Sequence, residues 1–600
     1  SQKALRAMAY SSPFKTYGNF SMMIVPKKGQ TLDEAKKLLL DQIELIKKGE
    51  FQDWQIPAII NDMKIQQMKS LETADGLATA LYGSYINNQN WDSELNQINE
   101  YEKITKDDVV KFANEFFKDN YVIIKKEKGV NDKLVRVENP GITPIKLNKE
   151  DQSPFLKSII SEKSSEIKPE FIDYSKAIKT DKIAGKKASF VKNKYNDIAQ
   201  TYFIFPFGSD NDKELGLATQ VLQYLGTNKL SAEDLKKEFF KLGISNDFRT
   251  ASDQLIISLS GLEENMPKGI ELLKNWLENA KPDQKVYEEN IKTILESREI
   301  AKKDKGRIMA ALSNYAKYGK VSRFSDVVSA ERLKSIKSEE MTAKIKNLLN
   351  MPYEIFFYGT DFNAFRKYAK PFVEKETIKA PEKKNYPEPA TEGKVFFTNY
   401  DMVQTEMSKV GKGNNVNLKN LGKINVFNEY FGRGLSSIVF QEIRESKSLA
   451  YSAYVSYASN GELNHPDYVT TYIGTQANKL PQAVNAMDEL MANLPQVPAQ
   501  FENAKNAALK QIASGRINRT NIFFNQMNLK KLGIDYDLRK DMYAEIEKLT
   551  LADVTNFYNN EIKPMKYNTA IIGKKENLDM SAINKMGTFH EVTLEEIFGY

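Results

Sequence analysis

The 600-residue chain contains no cysteine and only two histidines. The first absence removes disulfide frameworks, thiol nucleophiles and cysteine-ligated zinc together. It leaves the compartment open between cytoplasm and periplasm, since a cysteine-free chain suits both. The second restricts any imidazole chemistry to His465, in the loop NHPDY, and His590, which lie 125 residues apart, neither with a histidine at i+4. No run of about 18 apolar residues occurs, so the sequence offers no helical membrane span and no membrane partner is expected. An excess of one charge is lacking as well: 86 Lys and Arg against 79 Asp and Glu leave +7 over the whole length. Such interleaved charge lacks the basic stripe of a nucleic-acid surface. The chain opens at SQKALRAM with no charged segment leading into an apolar core, so a targeting peptide is expected to be absent or already removed.

What is present is an apolar share of 41%, enough for ordinary cores. A chain of this length divides into about three or four units, and one order of elements recurs three times. TLDEAKKLLLDQIELIKKG from Thr31, NMPKGIELLKNWLENAKP and NKLPQAVNAMDELMANLP each read as an amphipathic helix. A second helix follows in IPAIINDMKIQQMKS, VYEENIKTILESREI and QFENAKNAALKQIAS. Each copy closes with a short helix and a strand anchored on Tyr121, Tyr353 and Tyr567, separated by 232 and 214 residues. Periods this long mean repeated domains rather than a solenoid.

Two copies share a front half, NDIAQTYFIFPFG and YDMVQTEMSKVGKG, with Asp197, Gln200 and Thr201 set against Asp401, Gln404 and Thr405. By analogy YGNFSMMIVPKKG is the last strand of an earlier front half, so the chain is expected to start within a domain. Irregular charged stretches separate the copies. The expected division is residues 1–129, the later part of one domain; 130–185, a linker; 186–378, a domain; 379–393, a short linker; and 394–600, a domain. QLIISLSGL and DYVTTYIGT alternate as strands do, beside long amphipathic helices. The fold class is therefore α+β, helices packed on one face of a largely antiparallel sheet.

Chemistry concentrates in FGRGLSSIVFQEIRESKSLAYSAYVSY, residues 431–457. Gly432 and Gly434 are followed by no P-loop lysine and no third Rossmann glycine. They read as a turn opening a helix with Ser436 or Ser437 near its N-cap. Arg444 and Tyr451 stand seven residues apart; the plain structural reading makes Arg444 a solvated neighbour of Glu445 and Tyr451 the start of a half-buried strand. Tyr454, Tyr457, Tyr472 and the phenylalanines of FIFPFG fit a core or a peptide-lined chamber. KKDKGR at 302 reads as a solvated face, and His465 as a loop histidine.

The segment carrying Asn428, Phe431, Gly432, Gly434, Ser437, Phe440, Gln441, Glu442, Ile443, Arg444, Glu445, Leu449, Ala450, Tyr451 and Ser452 resembles the pitrilysin and insulin-degrading-enzyme family of inverted-motif zinc peptidases. Long members of that family have four such domains, whose halves close around a peptide. The resemblance makes residues 1–129 the later part of the second domain, 186–378 a degenerate third domain and 394–600 the fourth. It implies zinc held by an H-x-x-E-H helix in the N-terminal half, and this chain lacks that motif. At the corresponding place in the third domain, Gly216 and Ala218 are followed by Thr219, with Leu222 and Gln223 at the glutamate and second histidine positions. No metal site is therefore expected here, nor activity alone. The resemblance assigns Arg444 and Tyr451 to substrate and transition-state contacts, completed by the N-terminal catalytic half acting on a peptide substrate. A non-catalytic scaffold, like the core subunits of mitochondrial processing and respiratory assemblies that share the fold, is the alternative.

Overall fold

Leu255, Ile257 and Leu259 are fully buried at every second position of LIISLSGL, the alternation of a strand with one face on a core. Met266, Ile270, Leu273 and Leu277 are buried on the helix that follows, one stripe at helical spacing. This pairing of a period-two strand with a period-3.6 helix generates most of the architecture. The computed structural model describes residues 3–127 apart from position 28, residue 129, residues 153–162 and residues 167–600.

The chain forms two units, residues 1–167 and 168–600. In the first, β1 (Arg6–Pro13) and β2 (Gly18–Val25) pair antiparallel as a two-stranded sheet. The helix Leu32–Lys47 starts on a capping box, with Thr31 and Glu34 satisfying each other's backbone N–H groups. Gly49, at φ +70°, lies just beyond its end. Helices Gln55–Leu71 and Lys106–Phe116 fall where the repeat places them. The strand expected at Tyr121 does not form: residues 121–127 pair with no other strand. In the later copies the corresponding strand is held by ladders on both sides, and the described sheet of this unit ends at β1 and β2.

The second unit contains two six-stranded sheets. The first comprises β3 (Lys179–Ile183), β4 (Lys186–Lys192), β5 (Ile198–Phe205), β6 (Ser245–Thr250), β7 (Leu255–Leu262) and β8 (Glu354–Gly359), in the order β3-β4-β8-β5-β7-β6. The second comprises β9 (Lys394–Asn399), β10 (Gln404–Asn415), β11 (Ser452–Ala458), β12 (Pro466–Gln476), β13 (Tyr567–Gly573) and β14 (Thr588–Glu591), in the order β14-β9-β13-β10-β12-β11. Five strands correspond one to one: β4 to β9, β8 to β13, β5 to β10, β7 to β12 and β6 to β11. Only β4–β8, β9–β13 and β9–β14 run parallel, so both sheets are largely antiparallel. Tyr353 directly precedes β8 and Tyr567 opens β13.

Two sequence expectations need correction. β3 lies inside the stretch 130–185 read as linker and pairs with β4, whereas residues 130–152 and 163–166 of that stretch lie outside the described residues. The ladders set Thr201 opposite Phe357 and Met407 opposite Ile571, two residues away from the match of Thr201 with Thr405. A slip of two keeps every side chain on its own face, so the core pattern survives it.

One face of each sheet packs on its own helices, forming two large cores. The opposite faces are covered by exchange. Ile308, Met309, Ala311 and Leu312 of the helix Lys305–Tyr318 pack with Phe396, Val410, Ala570 and Ile572 of the second sheet. Phe523 of the helix Thr520–Lys531 packs with Val191, Ile204, Phe356 and Tyr358 of the first sheet. Each sheet thus closes its second face with a helix that the repeat assigns to the other.

Candidate functional site

Arg444 and Tyr451 are brought together by the segment that joins the helical layer to the edge strand β11. Asn428 clamps that strand: its Nδ2 donates to Tyr457 O at 3.0 Å and its Oδ1 accepts from Tyr457 N at 2.8 Å. Polar side chains so placed satisfy an edge that would otherwise recruit another chain. At Gly432 a Cβ would stand 1.9 Å from Val455 O, so only glycine admits the turn this close to β11. Gly434 then takes φ +84°. Ser437 caps the next helical turn, accepting from Phe440 N at 3.4 Å while its hydroxyl donates to Gly434 O at 2.9 Å.

Phe440–Ser446 winds as a wide π-helical turn, a geometry that recurs at functional sites. The chain leaves it through Ser448 at φ +49°, a left-handed conformation that costs a non-glycine residue about 1 kcal/mol or more. Tyr451 N donates to Gly474 O at 3.0 Å. The residue remains 74% exposed.

The guanidinium of Arg444 lies over two rings, its carbon 4.8 Å from the Phe440 centroid and 5.1 Å from that of Tyr451. Glu445 flanks it at 3.5 Å. The site therefore keeps both elements of the plain reading, a Glu445 neighbour and a strand start, and adds the ring contact that neither implies. Cation–π contact of this kind holds the planar fork in one orientation while leaving its N–H groups available.

Beside Tyr451 opens a cleft of about 320 Å³ lined by Lys305, Gln404, Glu406, Ser452, Tyr472 and Gly474. Tyr472 stacks on Tyr454 at 5.2 Å with planes 16° apart, and burial with the nearby Glu406 charge raises its hydroxyl pKa. Glu406 sits on β10 with its side chain 9% exposed and pairs with Lys305 Nζ at 2.9 Å. Sequence reasoning misses Lys305 and Glu406. Lys305 belongs to KKDKGR, expected as a solvated face; instead Lys302 reaches Glu595 at 3.2 Å and Lys305 crosses to the second sheet.

The remaining candidates separate into core and surface. Tyr457, Phe203, Phe205 and Phe207 are buried. His465 pairs with Glu388 at 3.0 Å, and His590 stacks on Phe396 with centroids 5.6 Å apart. On the helix Leu215–Leu222, Thr219 donates to Gly216 O at 3.0 Å and Leu222 is wholly buried in the core. A hydroxyl spent on backbone and an alkyl group in a dry core do not fit zinc, which takes nitrogen, thiolate or carboxylate ligands. Among the described residues no cluster of three or more His, Cys, Asp or Glu could hold a metal ion, and no helix is long and apolar enough to cross a membrane.

This repeated α+β unit carries the glycine turn, the arginine and the tyrosine on one edge of the second sheet. Residues 353–508 match the family model of the peptidase M16 inactive domain, the family to which the Asn428–Ser452 resemblance leads. A non-peptidase homolog YmxG of Helicobacter pylori is 22% identical over 392 residues, covering 62% of this chain and 87% of that protein. An uncharacterized zinc protease YmxG of Bacillus subtilis is 37% identical over 97 residues, 16% of this chain and 23% of that one. The crystal structure of the periplasmic protease PqqL from Escherichia coli shares the fold at TM-score 0.54 and 13% identity, over 96% of this chain and 67% of PqqL.

Proposed function

We propose that this chain is the substrate-closing, non-catalytic half of a zinc-dependent peptidase that degrades peptides in an enclosed chamber. The observation that carries the reading is the pairing of Arg444 with an exposed Tyr451 at the mouth of a cleft. An exposed phenol can donate to the oxygen of a tetrahedral intermediate, and a ring-held guanidinium can fix a substrate carbonyl. Neither group attacks the peptide bond. The residues at Thr219, Leu222 and Gln223 do not fit zinc, so the metal-bearing H-x-x-E-H segment would be a partner to this one, as the N-terminal half of the same protein. A relative named as a zinc protease supports zinc in the parent.

A relative named as a non-peptidase homolog favours a second reading, a scaffold of the same fold. Reading the sequence upstream of residue 1 in the parent separates the two: an intact H-x-x-E-H supports the peptidase, and its absence supports the scaffold. The functional test is peptide cleavage by the complete protein carrying Tyr451→Phe. A fall in turnover with unchanged melting supports the role; unchanged turnover removes it.

A further inference from the structure

The floor of the cleft beside Tyr451 is a carboxylate. Glu406 on β10 faces Gly474 on β12, which faces Ser452 on β11. With no side chain at Gly474, the row leaves room above the carboxylate, and Tyr472 walls one side. A buried carboxylate requires a cation or donors at hydrogen-bond distance. Here the cation is Lys305, 2.9 Å away, yet its own side chain is 53% exposed while that of Glu406 is 9% exposed. A lysine on a flexible four-carbon stem, reaching in from the first turn of a helix, is a replaceable partner for a fixed anion.

We propose that this cleft is a subsite for a basic side chain, lysine or arginine, of the bound peptide, with Glu406 as its counter-ion and Lys305 as the resident cation it displaces. The inference rests on the peptide-binding reading above and adds to it a residue-level specificity. Tyr472, whose hydroxyl pKa is raised by burial and by the Glu406 charge, lines the same cleft and adds no competing charge to it.

The test uses the full chain and two fluorescein-labelled peptides identical except for arginine in one and citrulline in the other, read by anisotropy. Lys305→Ala should bind the arginine peptide about tenfold more tightly than the citrulline peptide, the scale of one charge-assisted pair. Glu406→Gln should bind the two equally, and Tyr472→Phe, which retains the carboxylate, should keep the preference. If Glu406→Gln does not fold, the arginine-to-citrulline ratio of Lys305→Ala decides alone. Equal binding of both peptides by Lys305→Ala, with unchanged melting, overturns the subsite and leaves the peptide-binding reading standing. Failure of either peptide to bind any variant overturns both.

Discussion

Phe523 stacks on Phe356 with ring centroids 4.1 Å apart and planes at 11°. The first ring comes from the helix Thr520–Lys531 and the second from the central strand β8 of the first six-stranded sheet. Phe356 is fully buried by this contact and its neighbours. Phe523→Ala would open a cavity against that sheet and cost about 3 to 5 kcal/mol. Urea unfolding should show this loss, and a change below about 1 kcal/mol would mean that the exchanged helix does not seal the sheet.

Gly432 and Gly434 provide a paired test of why the turn is built from glycine. Gly432→Ala places a methyl on Val455 O and should destabilise by about 1 to 3 kcal/mol or more through backbone displacement. Gly434→Ala meets only open space but must hold φ +84°, which costs about 1 kcal/mol. Melting temperatures should rank wild type, Gly434→Ala, then Gly432→Ala; the reverse order of the two variants would contradict the close approach of turn and strand.

Lys317 provides the pH test. Burial lowers its pKa to about 8, only partly offset by the charge of Glu388. Its ammonium lies 3.6 Å from the Tyr468 ring centroid. Because its folded pKa is lower than its unfolded one, the unfolded chain binds the extra proton between about pH 8 and 10.5. The penalty for burying the charge is full below pH 8 and is relieved as pH rises through that window. Lys317→Met should therefore stabilise the chain near pH 7, on the order of 1 kcal/mol, and the gain should shrink by pH 10. A gain that grows with pH would contradict the sign.

β7 and β12 fall where QLIISLSGL and DYVTTYIGT place them, the first by its period of two and the second by its β-branched and aromatic residues. Ser437 at the cap follows from local chemistry, whereas the Arg444–Tyr451 ring contact does not follow from their seven-residue spacing. Tyr121 fails as a strand because pairing is a property of neighbours, which a local pattern does not contain. Lys305 and Glu406 are illegible for the same reason. A lysine in KKDKGR carries no sign that its helix crosses to another sheet, and a glutamate in a strand reads as exposed until a cation reaches it.

Metal content provides a further test. Chelator-free preparations of the chain should contain no stoichiometric zinc, since a catalytic site takes three protein ligands and the two histidines occupy separate surroundings. One tight zinc per chain, lost in His465→Ala, would contradict this.

The central claim is that Arg444 and Tyr451 serve a reaction whose metal is held elsewhere. Its most direct measurement is peptide cleavage by this chain mixed with a separately prepared segment bearing the H-x-x-E-H motif that the proposal calls for, using wild type, Tyr451→Phe and Arg444→Ala. The account predicts no cleavage by the chain alone, cleavage on mixing, and a loss of about 3 to 4 kcal/mol of transition-state stabilisation in Tyr451→Phe with melting unchanged. Arg444→Ala should lose at least as much, since the account gives it the orienting of the substrate carbonyl. Wild-type rates in both variants, or unfolding of both, would contradict it.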